Sequence, residues 1–368
     1  MATLQAARAA RAARRAFASV ASASMPPEVA LPVIDLRALD TRHAGSAAGL
    51  AARSAALSAL RSACEAPACA FTAVTSSLIP PALVTRCYEH SVAFHALPDD
   101  AKQPMHHARD VNGRGWVPLG DEPAYEDGKV VSHVTSFDLA SDLPATHPAV
   151  VARLRGMGSN VWPAPELLPG FREDVGALYL GTTDVARVLF RAFEDMLSVA
   201  PGAFGQHLTP TSRGTMRLMR YPGAGSAARA DALNVGISAH SDFEAHTLLH
   251  ADSAGLQLSV GRDARGGDEW RSAPVPDAAC FTVIVGDMLE RWTNGVLRAT
   301  RHRVAHVPWC RHSLVRFVGV EGRTVVAPLP QFGTPRYEAT TQEGHLDGAM
   351  AEAEARLKAN AVQGVGPQ

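Results

Sequence analysis

The chain has 368 residues and balances 35 basic against 36 acidic side chains, a formal net charge of −1. Apolar residues at 46% exclude a disordered chain, and the lack of surplus positive charge excludes a protein that binds nucleic acid through a basic face. Five irregularly spaced cysteines, Cys64, Cys69, Cys87, Cys280 and Cys310, exclude a disulfide scaffold and read as free thiols.

Residues 1–27 differ from the rest. They carry Arg8, Arg11, Arg14 and Arg15, several serines and no acid; the first carboxylate is Glu28. An arginine-rich, acid-free, amphipathic leader predicts a transit peptide, mitochondrial first and plastid as the alternative, or else a tail outside the fold. In the body, Leu31–Leu36 is expected to form a first strand. Helices are expected over 47–66 and 80–97, the second stopped by Pro98, with a strand at 70–75 between them. Residues 112–120 and 160–170 read as Gly- and Pro-rich loops, and 171–199 as a long helix. From Thr215 short β-prone runs alternate with turns, at 216–221, 236–250, 256–260, 280–285, 303–307 and 313–320, and a helix closes the chain near 346–359. The expected fold is a mixed α/β N-terminal region over 28–200, an all-β jelly-roll core over 201–335, and a C-terminal helix and tail over 336–368. No apolar run of about 18 residues marks a membrane span, so a soluble chain without a membrane partner is expected, with monomer as the default.

Chemistry concentrates in the β half. His240-Ser241-Asp242 sets an imidazole and a carboxylate two residues apart, which on a strand point the same way. They are two-thirds of a facial metal triad of the kind that leaves open positions on non-haem Fe(II). His302, at the head of a later strand, is the first candidate for the third ligand, and His246 is its rival. Nine residues past His302 lies Arg311-His312-Ser313. Arginine matches a carboxylate with a planar fork and serine adds a donor, so the pair suits the far carboxylate of a dicarboxylic 2-oxo acid. Tyr221, at the end of the first core strand, offers a third hydrogen bond. His106-His107 reads as a solvated loop pair, and Asp287 and Asn294 as turn residues.

These residues carry a family resemblance. Gly236 to Leu249 around His240 and Asp242 resembles the iron-binding strand of 2-oxoglutarate- and Fe(II)-dependent dioxygenases of the isopenicillin N synthase-like group. Gly255-Leu-Gln257, Gly286-Asp287, Asn294-Gly295, His302-Arg-Val304 and Arg311-His-Ser313 follow in the family's order. In the N-terminal half Phe94-His-Ala-Leu-Pro98, Asn112-Gly-Arg-Gly115, Phe137-Asp-Leu139, Asn160-Val-Trp-Pro163 and Pro169-Gly-Phe-Arg172 agree as well. The likeness spans about residues 30–360. Met219 stands where many relatives have Asn, and Ala299-Thr300-Arg301 precedes His302 where many have Ser-Thr-x.

The resemblance implies a distorted double-stranded β-helix in which His240, Asp242 and His302 hold Fe(II). Arg311 and Ser313, with Tyr221, would bind 2-oxoglutarate. The implied activity couples decarboxylation of this cosubstrate to succinate and CO2 with O2-dependent hydroxylation or desaturation of a small organic molecule. Phe243, Phe317 and His246 are the candidates for the substrate wall. Two alternatives stand beside this: an Fe(II) oxidase of the same fold that does not use 2-oxoglutarate, and a non-catalytic jelly-roll binding module.

Overall fold

A computed structural model describes residues 25–43, 45–128, 130–223 and 233–360. The arginine-rich leader lies outside the described residues except for Met25–Pro27. There the chain already joins the fold: Ser272 donates from its backbone N to the Pro27 carbonyl and from Oγ to the Pro26 carbonyl.

After a short strand β1 (Val33–Asp35), helix α1 (Ala47–Glu65) starts at Ser46, whose Oγ accepts from Gly49 N at 3.1 Å. Strand β2 (Ala70–Val74) leads to α2 (Pro81–Ala96), which begins on a proline whose missing N–H costs nothing there. Small strands β3 (Gly115–Val117), β4 (Val130–Ser132) and β5 (Thr135–Leu139) precede the long α3 (Phe171–Leu197). Val175, Leu178, Val185, Leu189 and Phe193 form the buried stripe of α3, with Glu173 and Asp174 in its first turn and Ser198 left-handed at its end.

The β half runs through β6 (Met216–Tyr221), β7 (Leu233–His240), β8 (His246–Ala251), β9 (Leu256–Arg262), β10 (Asp268–Ser272), β11 (Cys280–Val285), β12 (His302–Ala305) and β13 (Arg311–Val318). After the β14 (Val325–Val326) and β15 (Thr340–Thr341) pair, α4 (Gln342–Asn360) closes the described chain. Two sheets result, ordered β1-β2-β11-β8-β13-β6-β5-β3 and β10-β9-β12-β7-β4. They face each other as a jelly roll, and α1, α2 and α3 cover the outer face of the larger sheet.

Strand β13 shows the division of labour. Val315 and Phe317 pack in the space between the sheets with Tyr221, Ile237 and Val304. Leu314 and Val318 face the helices with Phe94, Phe190 and Phe193. The alternation puts Arg311 and Ser313 on the inner side. The five cysteines are free thiols.

The structure departs from the sequence reading in three places. The run 236–250 is not one strand: it breaks after His240 and resumes at His246. Strands β4, β5, β10, β14 and β15 lie where no strand was expected, and β3 forms within the loop 112–120. Asp287, read as a turn residue, begins a short helix (Asp287–Trp292). Asn294, at φ 54°, donates to the Phe332 and Thr334 carbonyls and pins the segment after β14.

Candidate active site

The smaller sheet supplies one half of the site. β7 and β12 are antiparallel neighbours in which His240 and His302 are directly paired. Asp242 sits in the turn after β7. That turn is built from the far side: Asp287 N donates to the Asp242 carbonyl and Met288 N to that of Glu244. Gly286 makes the approach possible, since a Cβ there would stand 2.4 Å from the Glu244 carbonyl oxygen and 2.9 Å from that of Asp242.

His240 Nε2 and His302 Nε2 lie 3.5 and 3.6 Å from the same Asp242 oxygen, Oδ1. The other oxygen, Oδ2, accepts from the Thr247 hydroxyl. His240 Nδ1 bonds the Ser238 carbonyl at 2.8 Å and His302 Nδ1 the Thr300 carbonyl at 3.0 Å. A carbonyl only accepts, so both protons sit on Nδ1 and both Nε2 lone pairs converge beside Oδ1. This is the tautomer a metal ligand needs. Asp242 and His302 are buried, while His240 keeps 13% of its side chain accessible. Burial disfavours the Asp242 carboxylate, yet the two imidazoles and Thr247 outweigh it and hold its pKa low. His302 is pushed down by burial; His240, also penalised by burial, is raised on balance by Asp242. Two imidazole nitrogens and one carboxylate oxygen at such spacing fit a small divalent cation with open positions.

A second cluster of the same composition, His106, His107 and Asp121, lies partly exposed near the β3 edge. There His106 Nδ1 accepts from Ala108 N at 3.2 Å, which places the ring proton on Nε2, the atom that would have to bind metal. His107 is occupied with Asp121 at 3.0 Å. The chemistry favours the trio between the sheets.

The larger sheet supplies the other half. Arg311 pairs in register with Tyr221, and Ser313 with Met219. Arg311 is fully buried; its Nε donates to the Ser253 carbonyl at 3.1 Å and its guanidinium lies 4.8 Å over the Tyr221 ring. Among the described residues Arg311 Nη1, Arg311 Nη2 and Ser313 Oγ have no hydrogen-bond partner. Leaving such buried donors unmade costs about 1–3 kcal/mol each, so a fork and a hydroxyl waiting together fit a carboxylate from a bound molecule. The Tyr221 hydroxyl turns to Met219 Sδ at 3.6 Å, so its ring rather than its hydroxyl meets Arg311. Burial raises its pKa against the opposing pull of the Arg311 charge.

Of the three wall candidates, Phe317 lies between the sheets and Phe243 stands 6.2 Å from Tyr125, near His240. His246 does not line the site. It opens β8 on the helix side, wholly buried against Phe190 and Phe193 of α3, where burial lowers its pKa to about 3. The five-residue turn after His240 resets the alternation, which removes His246 both as wall and as rival third ligand. Sequence reasoning missed Thr247, which holds Asp242, and Tyr125, whose ring stacks on His240 at 4.6 Å. Tyr125 comes from a loop more than a hundred residues upstream, and no spacing announced it.

Comparison with known proteins agrees with this geometry. Residues 31–165 match the family model for the N-terminal region of non-haem dioxygenases in morphine synthesis, and residues 214–319 that of the 2OG-Fe(II) oxygenase superfamily. A 2-oxoglutarate-dependent dioxygenase of Monascus ruber, citB, is 32% identical over 274 residues, 73% of this chain and 80% of the relative. Clavatol oxidase claD of Penicillium crustosum is 27% identical over 335 residues, 87% of this chain and 95% of the relative. Among solved structures, a 2OG-Fe(II) oxygenase family protein from Caulobacter crescentus superposes with TM-score 0.69 at 24% identity, over 88% of this chain and 99% of that one. A full-length Neurospora crassa protein in complex with alpha-KG gives TM-score 0.67 at 20% identity, over 88% and 96%. The chain belongs to the 2-oxoglutarate- and Fe(II)-dependent dioxygenases of the isopenicillin N synthase-like group, and is an oxidoreductase that uses Fe(II), 2-oxoglutarate and O2 to oxygenate a small molecule.

Proposed function

We propose that His240, Asp242 and His302 hold the iron, that Arg311 and Ser313 hold the distal carboxylate of 2-oxoglutarate, and that the product is a hydroxylated or desaturated small organic molecule. What supports the assignment is the presence of two complementary polar clusters, one on each of the two facing sheets. On one strand pair two Nε2 lone pairs converge beside Asp242 Oδ1; on the other a buried guanidinium fork and a serine hydroxyl have no hydrogen-bond partner among the described residues. When bound, the metal would activate O2, the oxidant, and 2-oxoglutarate would serve as the reductant, leaving as succinate and CO2.

The chain's residues bind and shield. Ser238 and Thr300 fix the two imidazole tautomers through their carbonyls. Thr247 holds Asp242 Oδ2 so that Oδ1 faces the histidines. Ser253 and the Tyr221 face set the direction of the Arg311 fork. Phe243 and Phe317 are assigned to the walls that keep water from the substrate side.

Anaerobic Fe(II) titration with and without 2-oxoglutarate tests the assignment. A visible charge-transfer band that needs both components, and disappears in Asp242→Ala, is expected. Iron binding without that band would favour an oxidase that spares 2-oxoglutarate. We further propose that the acid-free arginine leader directs the chain to mitochondria, tested by fusing residues 1–27 to a fluorescent protein, and that the enzyme is a monomer, tested by its mass in solution.

A further inference from the structure

The loop between β3 and β4 crosses to the smaller sheet and is pinned there at three consecutive residues of β7. Tyr125 N donates to Ser238 Oγ at 3.1 Å, Glu126 Oε2 accepts from Ala239 N at 3.0 Å, and the Tyr125 ring stacks on His240 at 4.6 Å with an interplanar angle of 24°. The Tyr125 hydroxyl donates to Glu122 Oε1 at 3.3 Å. Glu122, itself buried, takes a two-pronged bond from Arg217 at 3.0 and 2.7 Å. Arg217, on β6, also donates to Asp138 at 3.0 Å and Ser136 at 2.9 Å. Both ends of the phenol are therefore held: the backbone by the metal-bearing strand, the hydroxyl by a buried charge cluster on the opposite sheet.

His240 needs such support. Its Nδ1–Ser238 bond fixes the tautomer, but a single bond does not by itself define the plane of the ring. The His302 ring contacts it at 4.4 Å but at a tilt of 51°, so it does not hold the plane. Tyr125 is the group that lies nearly parallel to the ring.

We propose that Tyr125 is a positioning residue for the iron ligand His240, holding the imidazole plane by stacking. The inference rests on the assignment of His240 to iron. Partners behind a metal-bound histidine typically change metal affinity about 10–100-fold when lost, and offset-stacked rings carry a preferred plane that an aliphatic chain does not.

The test is an anaerobic Fe(II) titration of the full chain bearing Tyr125→Leu, Tyr125→Phe or Asp242→Ala, with the visible band recorded in the presence of 2-oxoglutarate and a thermal melt of each. Tyr125→Leu fills the space without a ring and is expected to weaken Fe(II) binding about tenfold and to shift the band. Tyr125→Phe keeps the ring, gives up the Glu122 bond, and is expected to restore both to near wild type. Wild-type Fe(II) affinity and band in Tyr125→Leu, with Asp242→Ala losing iron, overturn this proposal and leave the ligand assignment standing. Loss of iron in Tyr125→Phe equal to that in Tyr125→Leu also overturns it, because stacking would then not be the cause. Unchanged iron binding in Asp242→Ala removes the ligand assignment and this inference together.

Discussion

Replacing Arg311 separates cosubstrate binding from metal binding. The guanidinium is fully buried, spends Nε on the Ser253 carbonyl, and keeps Nη1 and Nη2 for a ligand. A hydrogen bond to a charged group is worth about 1.5–3 kcal/mol. Arg311→Lys keeps the charge but presents one contact in place of the fork, so the demand for 2-oxoglutarate should rise roughly 10–150-fold. Arg311→Ala loses both contacts, and at least about a hundredfold is expected. Iron affinity should change little in either, since the metal trio stands on β7, its turn and β12, and none of the three bonds Arg311. The assay is succinate formation against 2-oxoglutarate concentration, paired with anaerobic Fe(II) titration of the same preparations. A 2-oxoglutarate dependence within about twofold of wild type in both variants, with iron retained, would refute the anchoring role.

Gly255→Ala should act on the same anchor from behind. Gly255 has φ +147°, and a Cβ there would sit 3.1 Å from Arg311 Cδ and 3.2 Å from Nε; the displaced fork should raise the 2-oxoglutarate requirement while Fe(II) titration stays near wild type. Thr247→Val removes the donor to Asp242 Oδ2 and should weaken Fe(II) binding about tenfold, read by the same titration. Tyr221→Phe should leave the 2-oxoglutarate requirement almost unchanged, because the ring face, not the hydroxyl, meets Arg311; a large increase in the steady-state assay would show that the hydroxyl reaches the cosubstrate. Far from the site, Arg86, and to a lesser degree His90, hold the Asp174 carboxyl below its usual range. A depressed carboxylate adds stability above its unfolded pKa of about 3.9, and that gain is lost as pH falls through the native value. Asp174→Asn should therefore lower stability at pH 7 by no more than about 1 kcal/mol for so accessible a pair, seen as a lower melting temperature, and the difference should vanish in melts near pH 2.

The chemistry of the site was more legible than its architecture. Arg311 and Ser313 share a face by two-residue spacing, because alternation along a strand is a local rule, whereas Asp242, expected on the same strand as His240, lies in the turn beyond it. The rule stops at a turn. Residues 241–245 reset it, and what shapes that turn is Gly286–Met288, more than forty residues downstream. His246 therefore looked equivalent to His240 in sequence and ended on the opposite face of the other sheet. Strands β4, β5 and β10 escaped notice for a related reason. β10 is Asp-Glu-Trp-Arg-Ser, and β5 carries Asp138, a charge that reads as solvent-facing until Arg217 is placed beside it. The Tyr125 contact is long-range and left no mark on local pattern. The long helix α3 was easy because its apolar stripe continues over many turns.

The placement of the site across two sheets also bears on when in the life of the chain it can exist. A nascent chain that has emerged as far as residue 300 carries His240 and Asp242, but neither His302, which lies directly opposite His240 in β12, nor Arg311, which enters through β13 between β6 and β8. Under the assignments above, the complete metal set and the cosubstrate anchor are born together, only after the last two core strands have closed the barrel. A product cut short before His302 would lack both the proposed third iron ligand and the proposed 2-oxoglutarate anchor.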